Sequence, residues 1–321
     1  MTQAVTSPPE VAAGRRVAGV LSGVLAGVGL AVQSRINGEL AVRLHDPIGA
    51  ALVSFGSGLI VLAVLVPLLP SGRAGLRHLR DGLRGRRIRA WQCVGGMCGG
   101  FLVATQGLTV PTLGVAVFIV AVVAGQSSSS LMVDRAGAGP AGPQPVTTPR
   151  LAGAVLTVAA VVISVADRIG HSGALVLAVL PLLAGLGIAW QQAVNGHVRM
   201  VSGSAMVAGL VNFVTGTAVL LLAFAVSVPL RGLPGRLPSG PWWLYVGGLL
   251  GIVFIAVGAA VVRHTGVLLL GLSMIAGQVT GALLLDEIVP GDAGRPGWNT
   301  VLGAALTLAA VGIAVLPARR R

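Results

Sequence analysis

The stretch AGVGLAVQSRINGELAVRL (residues 26–44) decides the fold of this chain, because it returns as AGLGIAWQQAVNGHVRMVS at residues 184–202. The two stretches align without gaps, and each residue of the second lies 158 positions after its counterpart in the first. The pattern Q-x-x-x-N-G recurs in both copies, as Gln33, Asn37 and Gly38, then Gln191, Asn195 and Gly196. A pattern repeated at a fixed offset indicates an internal duplication.

Two further blocks repeat in the same order along the chain. WQCVGGMCGG, from Trp91, matches WLYVGGLLGI, from Trp243, at an offset of 152 that also aligns Gln126 with Gln278. GAVLTVAAVVISV, from residue 153, matches GAALTLAAVGIAV, from residue 303, at an offset of 150. The sequence therefore predicts two homologous halves, 1–168 and 169–321.

The composition indicates where these repeats fold. Of 321 residues, 55 % are hydrophobic and only 10 % are charged, and the mean hydropathy is +0.90. A soluble domain carries roughly a quarter charged residues, and a disordered chain is poor in apolar ones, so both classes are excluded. Because a spanning helix needs about 20 apolar residues, hydropathy and turn signals predict ten spans: 17–38, 47–69, 91–110, 113–133, 150–167, 173–198, 204–229, 242–262, 266–285 and 299–316.

Each predicted half holds five spans, and this odd number fixes how the halves are related. The second copy must enter the membrane from the opposite side, which gives inverted-topology repeats related by a pseudo-two-fold axis in the membrane plane. The predicted fold is therefore an all-α membrane protein of ten transmembrane helices in two five-helix inverted repeats. Two such halves can rock about a shared cavity, as secondary transporters do.

The basic residues predict orientation rather than a nucleic-acid partner. All 22 are arginines and give a net charge of +13, but they lie in the short gaps between apolar runs. Cytoplasmic loops carry the excess of positive charge, and a cytoplasmic N-terminus places 16 of the 22 on that side. We therefore expect a multi-pass plasma (inner) membrane protein with both termini cytoplasmic. The lack of lysine excludes a P-loop and Schiff-base catalysis.

Two of the gaps between spans are long. The arginine-rich segment Arg73–Arg89 is either a solvated loop that sets topology, which is the favoured interpretation, or a short helix lying on the anionic inner leaflet. Its leucines recur at near-helical spacing, so the helix stays open as an alternative. The segment Ala136–Pro149 is rich in proline and glycine, which predicts a flexible linker or a loose loop.

Two pairs of blocks in this sequence resemble a known family. The first is AVQSRINGEL…GAALVSFGSG, and the second is PWWLYVGGLLGIVFIAVGAAVV…GQVTGALLLDE. They are similar to the YdcZ-like inner-membrane exporters of the drug/metabolite transporter superfamily, and the chain resembles the fused ten-span members along nearly its whole length. The resemblance implies a bundle of ten helices, five plus five in inverted orientation, that exports small molecules. It implies no particular substrate.

Polar side chains at membrane depth are costly and usually face the interior of a helix bundle. Gln33 and Asn37 share one face of the first span because they lie four residues apart. Their repeat counterparts, Gln191 and Asn195, share the equivalent face of the sixth span. The amides and one neighbouring aromatic residue are the candidate substrate-binding residues: Gln33, Asn37, Gln126, Trp190, Gln191, Asn195, Asn212 and Gln278. The alternative role is packing, since amides also join helices through hydrogen bonds.

Glu39 is the carboxylate predicted to lie within a span rather than at its end, and its repeat counterpart is His197. One hypothesis makes the two residues protonatable groups that couple transport to a proton or ion gradient. The alternative, favoured by the helical spacing of Arg35, Glu39 and Arg43, is an interfacial salt bridge and a loop histidine. Three acidic residues at span ends are expected to be boundary residues: Asp134, Asp286 and Glu287.

The predicted function is secondary transport of a small neutral or weakly polar metabolite or drug by alternating access around a central cavity between the two repeats. The direction, export, is what the family resemblance implies. A channel and a membrane-embedded enzyme are the alternatives, but neither a charged filter nor a catalytic motif is visible. No cofactor or metal is expected, because Cys93 and Cys98 lie five apart, outside metal-ligand and redox spacing. The expected partners are the small-molecule substrate and the lipid bilayer, with no nucleic acid. The sequence leaves monomer and homodimer open.

Overall fold

A computed structural model describes the backbone of residues 9–140, 142–166, 174–231 and 240–316, and the side chains of 14, 17–140, 142–166, 176–229, 240–257 and 269–316. Within these ranges the regular structure is helical, apart from one isolated bridge between Gly291 and Gly294. The α-helices are α1 (Pro9–Leu44), α2 (Pro47–Leu68), α3 (Pro70–Arg84), α4 (Gly96–Leu113), α5 (Val115–Arg135), α6 (Thr148–Ser164), α7 (Ala174–Ser202), α8 (Ala205–Arg231), α9 (Gly247–Ile288) and α10 (Trp298–Ala314).

Seven helical segments in the described residues are long and apolar enough to cross a membrane: Val17–Leu44, Pro47–Leu68, Ala90–Leu113, Val115–Arg135, Val176–Ser202, Ala205–Pro229 and Leu269–Ile288. The other three predicted spans fall on shorter apolar helices, Thr148–Ser164, Gly247–Val257 and Trp298–Ala314. The prediction of a multi-pass helical membrane protein is therefore confirmed. The count of ten spans stays a prediction, and the predicted boundary at 168/169 lies outside the described residues.

The two halves differ where the sequence predicts a break between neighbouring spans. In the first half Gly114, at φ +82°, separates α4 from α5, and Pro111 lies just before it. In the second half α9 is helical from Gly247 to Ile288, although the sequence predicts separate spans 242–262 and 266–285. Pro111 itself lies inside α4, and the repeat register aligns Gly114 with Gly266, so both halves carry glycine at the position of the break. The break that the sequence predicts in the second half is therefore absent from α9, and no residue difference at this position explains it.

The arginine-rich segment is helical as far as Arg84. Helix α3 buries Gly72, Gly75, Leu79 and Gly82 along one face and exposes its arginines on the other. The buried face packs on the turn between α7 and α8, since the place of a Cβ on Gly75 lies 3.1 Å from the Ser202 carbonyl oxygen. The segment is therefore helical as far as Arg84 and its buried face is covered by protein, while contact of this helix with the inner leaflet stays a prediction.

The halves pack against each other through glycines. Gly27 on α1 packs against the backbone of α9, and Gly277 on α9 packs against the backbone of α1. Backbone atoms of the opposite helix occupy the place where a Cβ would stand on either glycine. Gly125 on α5 and Gly185 on α7 meet in the same way. Small residues at such contacts let helix backbones approach closely in lipid, where burial of apolar surface gives little drive.

Helix α5 lies at the centre of the bundle. Its residues from Val115 to Gly125 are all buried, and nine of them belong to the largest cluster of buried apolar side chains in the described residues, which has nineteen buried members. A helix that is apolar all round is one that is surrounded on every side. The candidate site is built on the helices that flank α5.

Candidate functional site

The polar face of α1 lies against a pair of glycines at the start of α9. Gln33 and Asn37 are both buried, with Asn37 fully inaccessible. The amide nitrogen of Gln33 lies 3.3 Å from where a Cβ on Gly251 would stand, and the Asn37 Oδ1 lies 2.6 Å from the corresponding place on Gly247. The two amide side chains of α1 therefore pack against the two glycines of α9, because each pair is spaced four residues apart on its helix.

The same fit occurs on α7. The Gln191 Oε1 lies 3.2 Å from the place of a Cβ on Gly99, and the Asn195 Oδ1 lies 2.9 Å from the corresponding place on Gly95. These glycines belong to the W-x-x-x-G-G block of the first half, as Gly247 and Gly251 belong to that of the second. Both repeated patterns of the sequence are thus explained by one contact, an amide pair packed on a glycine pair of the other half.

A hydrogen-bonded chain joins α1 to α4. Asn37 Nδ2 donates to Gln106 Oε1 at 2.6 Å, and Gln106 Nε2 donates to Ser34 Oγ at 3.0 Å. Gln106 is fully buried, and it is not among the site residues predicted from the sequence. The repeat register aligns Gln106 with Gly258, so the recurrence of amides in the two halves gives no sign of it. Its depth within an apolar span was the signal that could have found it.

On the opposite side of α4, Asn195 Nδ2 donates to Asn212 Oδ1 at 3.0 Å. Asn212 aligns with Ser54 in the first half, and the Ser54 hydroxyl makes no hydrogen bond to any of the described residues. Asn37 Oδ1 is likewise unpartnered, and both oxygens lie within 3 Å of the place of a Cβ on Gly247. Since buried polar atoms are nearly always satisfied, these two oxygens are candidates for a hydrogen bond that the described residues do not supply.

An aromatic pair lies between the two amide groups. The rings of Phe55 on α2 and Phe213 on α8 have centroids 5.0 Å apart. The Phe55 ring lies 3.1 Å from the Cβ place of Gly99, beside Gln191, and the Phe213 ring lies 3.5 Å from that of Gly251, beside Gln33. The pair therefore lies between the amides of α1 and those of α7.

The remaining candidates lie outside these amide groups. Gln126 on α5 donates to Gln192 Oε1 on α7 at 3.2 Å, and Gln278 is buried on α9. Each follows the glycine of a helix contact, at residues 125 and 277. Trp190 stacks on Trp91, with ring centroids 6.5 Å apart, which favours a packing role for this residue.

The two candidate coupling residues meet different surroundings. Glu39 Oε1 accepts hydrogen bonds from Arg43 at 2.8 and 3.2 Å, and Glu39 lines a cavity of about 470 Å³. His197 Nε2 lies 3.0 Å from the backbone oxygen of Ala138, in the loop after α5. Glu39 therefore makes the predicted ion pair with Arg43, whereas His197 lies within helix α7 and not in a loop.

Asp286 does more than mark the end of a span. It is buried, and its oxygens accept hydrogen bonds from the backbone of Val115 and Ala116 at 3.1 and 2.8 Å. It also lies 3.7 Å from an Arg35 nitrogen. A carboxylate at the first turn of a helix satisfies unpaired N–H groups and faces the positive end of the helix dipole. Asp286 thus fixes the start of α5 to the end of α9. Its counterpart Asp134 pairs with Arg150 near the surface.

Comparison with known proteins places the chain in one family. A family model described as "Putative inner membrane exporter, YdcZ" matches twice, over residues 18–163 and 176–313. No curated protein matches the chain. A solved chain described only as "Crystal structure of protein" superimposes with a TM-score of 0.51 at 19 % identity, over 95 % of this chain and 100 % of that one, which is a likeness of fold alone. With two matches that together cover most of its length, this multi-pass membrane protein belongs to the YdcZ family of the drug/metabolite transporter superfamily.

Proposed function

We propose that the chain is a secondary transporter that exports a small neutral or weakly polar solute by alternating access between two inverted five-helix repeats, 1–168 and 169–321. The observation that carries the proposal is a set of contacts between the halves that occur in reciprocal pairs. The contact of Gly27 with Gly277 becomes that of Gly185 with Gly125 when each residue is replaced by its repeat counterpart.

Other contacts exchange in the same way. Gly58 packs on the Phe213 ring, and its counterpart Gly216 packs on the Phe55 ring. Near the ends of the repeats, Gly153 faces Ala310 and its counterpart Gly303 faces Ala160. A two-fold rotation generates reciprocal pairs of this kind, because applying it twice restores the starting arrangement. The contacts therefore support a pseudo-two-fold relation between the halves, and with an odd number of spans in each half this axis would lie in the membrane plane, as it does in inverted repeats.

Glycine contacts between the halves also suit a moving interface. Backbones that meet through glycine carry no interlocking side chains, so one helix can shift along the other at low steric cost. Gln126 and Gln278 follow two of these glycines, so they are placed to face a pathway that opens between the halves. The double variant Gln126→Ala/Gln278→Ala should abolish transport and still yield folded protein in the membrane. Normal transport by this variant would remove both residues from the site.

Recognition of the solute is assigned to the two amide groups beside the aromatic pair. They supply Gln33, Asn37, Gln191, Asn195 and Asn212, and within the groups Asn37 Oδ1 and Gln191 Oε1 are buried acceptors without a partner. Acceptors of this kind, with no charged group among them, favour a neutral solute that donates hydrogen bonds. Trp190 remains a weaker candidate because it stacks on Trp91.

The proposal includes an orientation of the chain in the membrane. The distribution of the arginines predicts that both termini lie in the cytoplasm. A reporter fused after Arg80 should report the cytoplasm, and one fused after Gly170 should report the opposite side. Reports from the same compartment would contradict the inverted arrangement.

The decisive experiment measures transport without assuming a substrate. Proteoliposomes loaded with a metabolite extract are compared with liposomes that hold the variant Asn37→Ala/Asn195→Ala and with protein-free liposomes. We expect saturable loss of one or a few neutral solutes from the wild-type vesicles alone. Equal retention in all three would contradict transport, and non-saturable flux with unitary currents would indicate a channel.

Coupling is assigned to Glu39 and His197 within this proposal. Both lie at ends of the bundle where water can reach them, and they occupy equivalent positions of the two repeats. Glu39→Gln should remove the dependence of transport on a pH gradient and leave downhill flux intact. Unchanged gradient dependence would leave Glu39 as a salt-bridge residue only.

A further inference from the structure

A cavity of about 250 Å³ lies between α5, α6, α9 and α10, near the end of α5 and the start of α6. The described residues that line it are apolar, apart from Arg150 and the hydroxyls of Ser127 and Ser130. The cavity is open on one side, and it is smaller than the roughly 300–1,000 Å³ of a site that encloses a whole ligand. An occupant would therefore insert only one end.

The cavity coincides with a side chain that the repeat has and this end lacks. The same four helices meet again at their other ends, because the repeat exchanges α5 with the second part of α9 and α6 with α10. The register aligns Gly271 on α9 with Ile119 on α5. Ile119 is buried in the largest apolar cluster, whereas nothing lies within 4 Å of the place of a Cβ on Gly271. The neighbouring Leu272 is half-buried, and its counterpart Val120 is fully buried.

The polar groups of the cavity are also particular to this end. In the places of Ser127, Ser130 and Arg150 the repeat has two apolar residues and one uncharged polar residue, Val279, Ala282 and Thr300. Polar side chains within a span are costly, so they mark a functional surface more often than a lipid-facing one. A guanidinium and two hydroxyls beside an apolar groove form an amphipathic site.

Arg150 has hydrogen-bond donors left for a ligand. Its Nη2 binds the Asp134 carboxylate, and its Nη1 lies 3.5 Å from the Pro145 carbonyl oxygen. A guanidinium has five N–H donors, and its planar fork matches a phosphate group. The exposed Arg135 lies one turn after Leu131, which lines the cavity, and it adds a second positive charge against the single negative charge of Asp134.

We propose that this cavity binds an anionic phospholipid of the adjoining leaflet, with an acyl chain in the apolar groove and the phosphate at Arg150. Basic pockets between transmembrane helices bind anionic headgroups in this way. The distribution of the arginines predicts that this leaflet is the cytoplasmic one, which carries anionic lipids. The site is separate from the amide groups assigned to the solute, so it goes beyond the proposed function.

The groove is tested by filling it. Protein is released from nanodiscs that hold equal amounts of phosphatidylcholine and phosphatidylglycerol, and native mass spectrometry counts the lipids that stay bound. Gly271→Ile restores the side chain of the repeat, so the variant should retain much less phosphatidylglycerol than the wild type. Gly312→Ile is the matched control on α10, because Gly312 is exposed and nothing lies within 4 Å of its Cβ place. It should retain as much as the wild type. Equal retention by the two variants would overturn the proposal.

The charge at the mouth of the cavity is tested by changing each partner of the ion pair. Arg150→Gln should lower the affinity for phosphatidylglycerol about fivefold, the usual effect of one arginine near anionic lipid, and Arg150→Lys should recover most of it. Asp134→Asn should raise the affinity, because it removes the carboxylate that competes for Arg150. An ion pair with a structural role alone would give Arg150→Gln and Asp134→Asn the same effect, and that result would overturn the proposal even where Gly271→Ile does not fold.

Two further probes distinguish the source of the ligand. The wild type should retain phosphatidylglycerol in preference to phosphatidylcholine, and inorganic phosphate should not displace it, since the acyl chain contributes to binding. Equal retention of the two lipids would indicate unselective lipid contact, and displacement by inorganic phosphate would indicate a site for free anions. Either result would overturn the assignment to an anionic phospholipid. None of these measurements requires a known transported solute, so their outcome is independent of the proposed function.

Discussion

The C-terminal parts of α1 and α7 share the pattern Q-x-x-x-N-G, but their asparagines make different hydrogen bonds. Each packs its glutamine and asparagine on two glycines of the other half. On α7, Asn195 bonds to Asn212, whereas on α1 Asn37 turns its donor to Gln106 and leaves its oxygen facing the unpartnered Ser54. The two halves therefore share the packing of these amides but not their hydrogen bonding. Shared packing supports a common motion, and unequal hydrogen bonding supports recognition of one asymmetric solute.

The ends of the two halves diverge most at a pair of equivalent aspartates, so the largest effect is expected there. Asp286→Ala removes the cap of α5 and leaves Arg35 without this ion pair, and loss of one partner of a buried pair costs about 3–5 kcal/mol. Asp134→Ala breaks a half-exposed pair with Arg150, which is worth about 0–1 kcal/mol. Thermal unfolding in detergent checks both. Equal losses of stability would contradict the difference in burial.

A smaller and equal effect is expected at the glycine contacts, where the halves agree. A methyl group on Gly27 or on Gly185 would meet backbone of the facing helix, so each alanine variant should lose about 1–3 kcal/mol, the usual cost of overpacking. Gly29→Ala is the matched control, because nothing lies within 4 Å of its Cβ place. It should keep or slightly raise the unfolding midpoint, since alanine favours helix. Losses that differ widely between Gly27→Ala and Gly185→Ala would break the comparison of the halves.

Much of this arrangement could be predicted from the sequence, because lipid imposes strict rules on a chain. Apolar length predicts helices, and the Q-x-x-x-N-G pattern predicts that Gln33 and Asn37 share a face, which turns inward as expected. The partner of that face could not be predicted. Gly247 and Gly251 belong to the other half of the chain, and spacing within one helix carries no information about which helix lies opposite.

The departures from the prediction have local causes. Gln106 has a glycine as its repeat counterpart, so the recurring amide pattern of the two halves does not include it. The segment 136–149 looks flexible by composition, yet Asp134, Gln144 and Arg150 bind its ends. Helix α9 continues through a predicted break, although the repeat register aligns its Gly266 with Gly114, the residue that ends α4.

A third prediction addresses the hydrogen-bonded chain that only α1 possesses. Gln106→Ala removes the acceptor of Asn37 Nδ2 and leaves buried donors unpaired, which costs about 1–3 kcal/mol. Gln106→Glu is the matched control for size, since a protonated carboxyl keeps an acceptor for Asn37. The unfolding midpoint of Gln106→Ala should therefore fall further below the wild type at pH 5 than that of Gln106→Glu. Equal falls would show that packing, and not hydrogen bonding, is what Gln106 contributes.

The smallest expected change in stability comes from making the halves alike. Ser54→Asn introduces the residue that the second half carries at Asn212, and its amide can donate to the unpartnered Asn37 Oδ1. A net gain of about 1 kcal/mol is expected from one satisfied hydrogen bond, while Asn212→Ser should lose a similar amount by leaving Asn195 without its acceptor. If Asn37 Oδ1 binds the solute, the stabilised variant should also transport at least tenfold less, because its own amide now occupies the acceptor. A stabilised variant with unchanged transport would remove Asn37 Oδ1 from recognition, and it would leave the difference between the halves as a matter of packing alone.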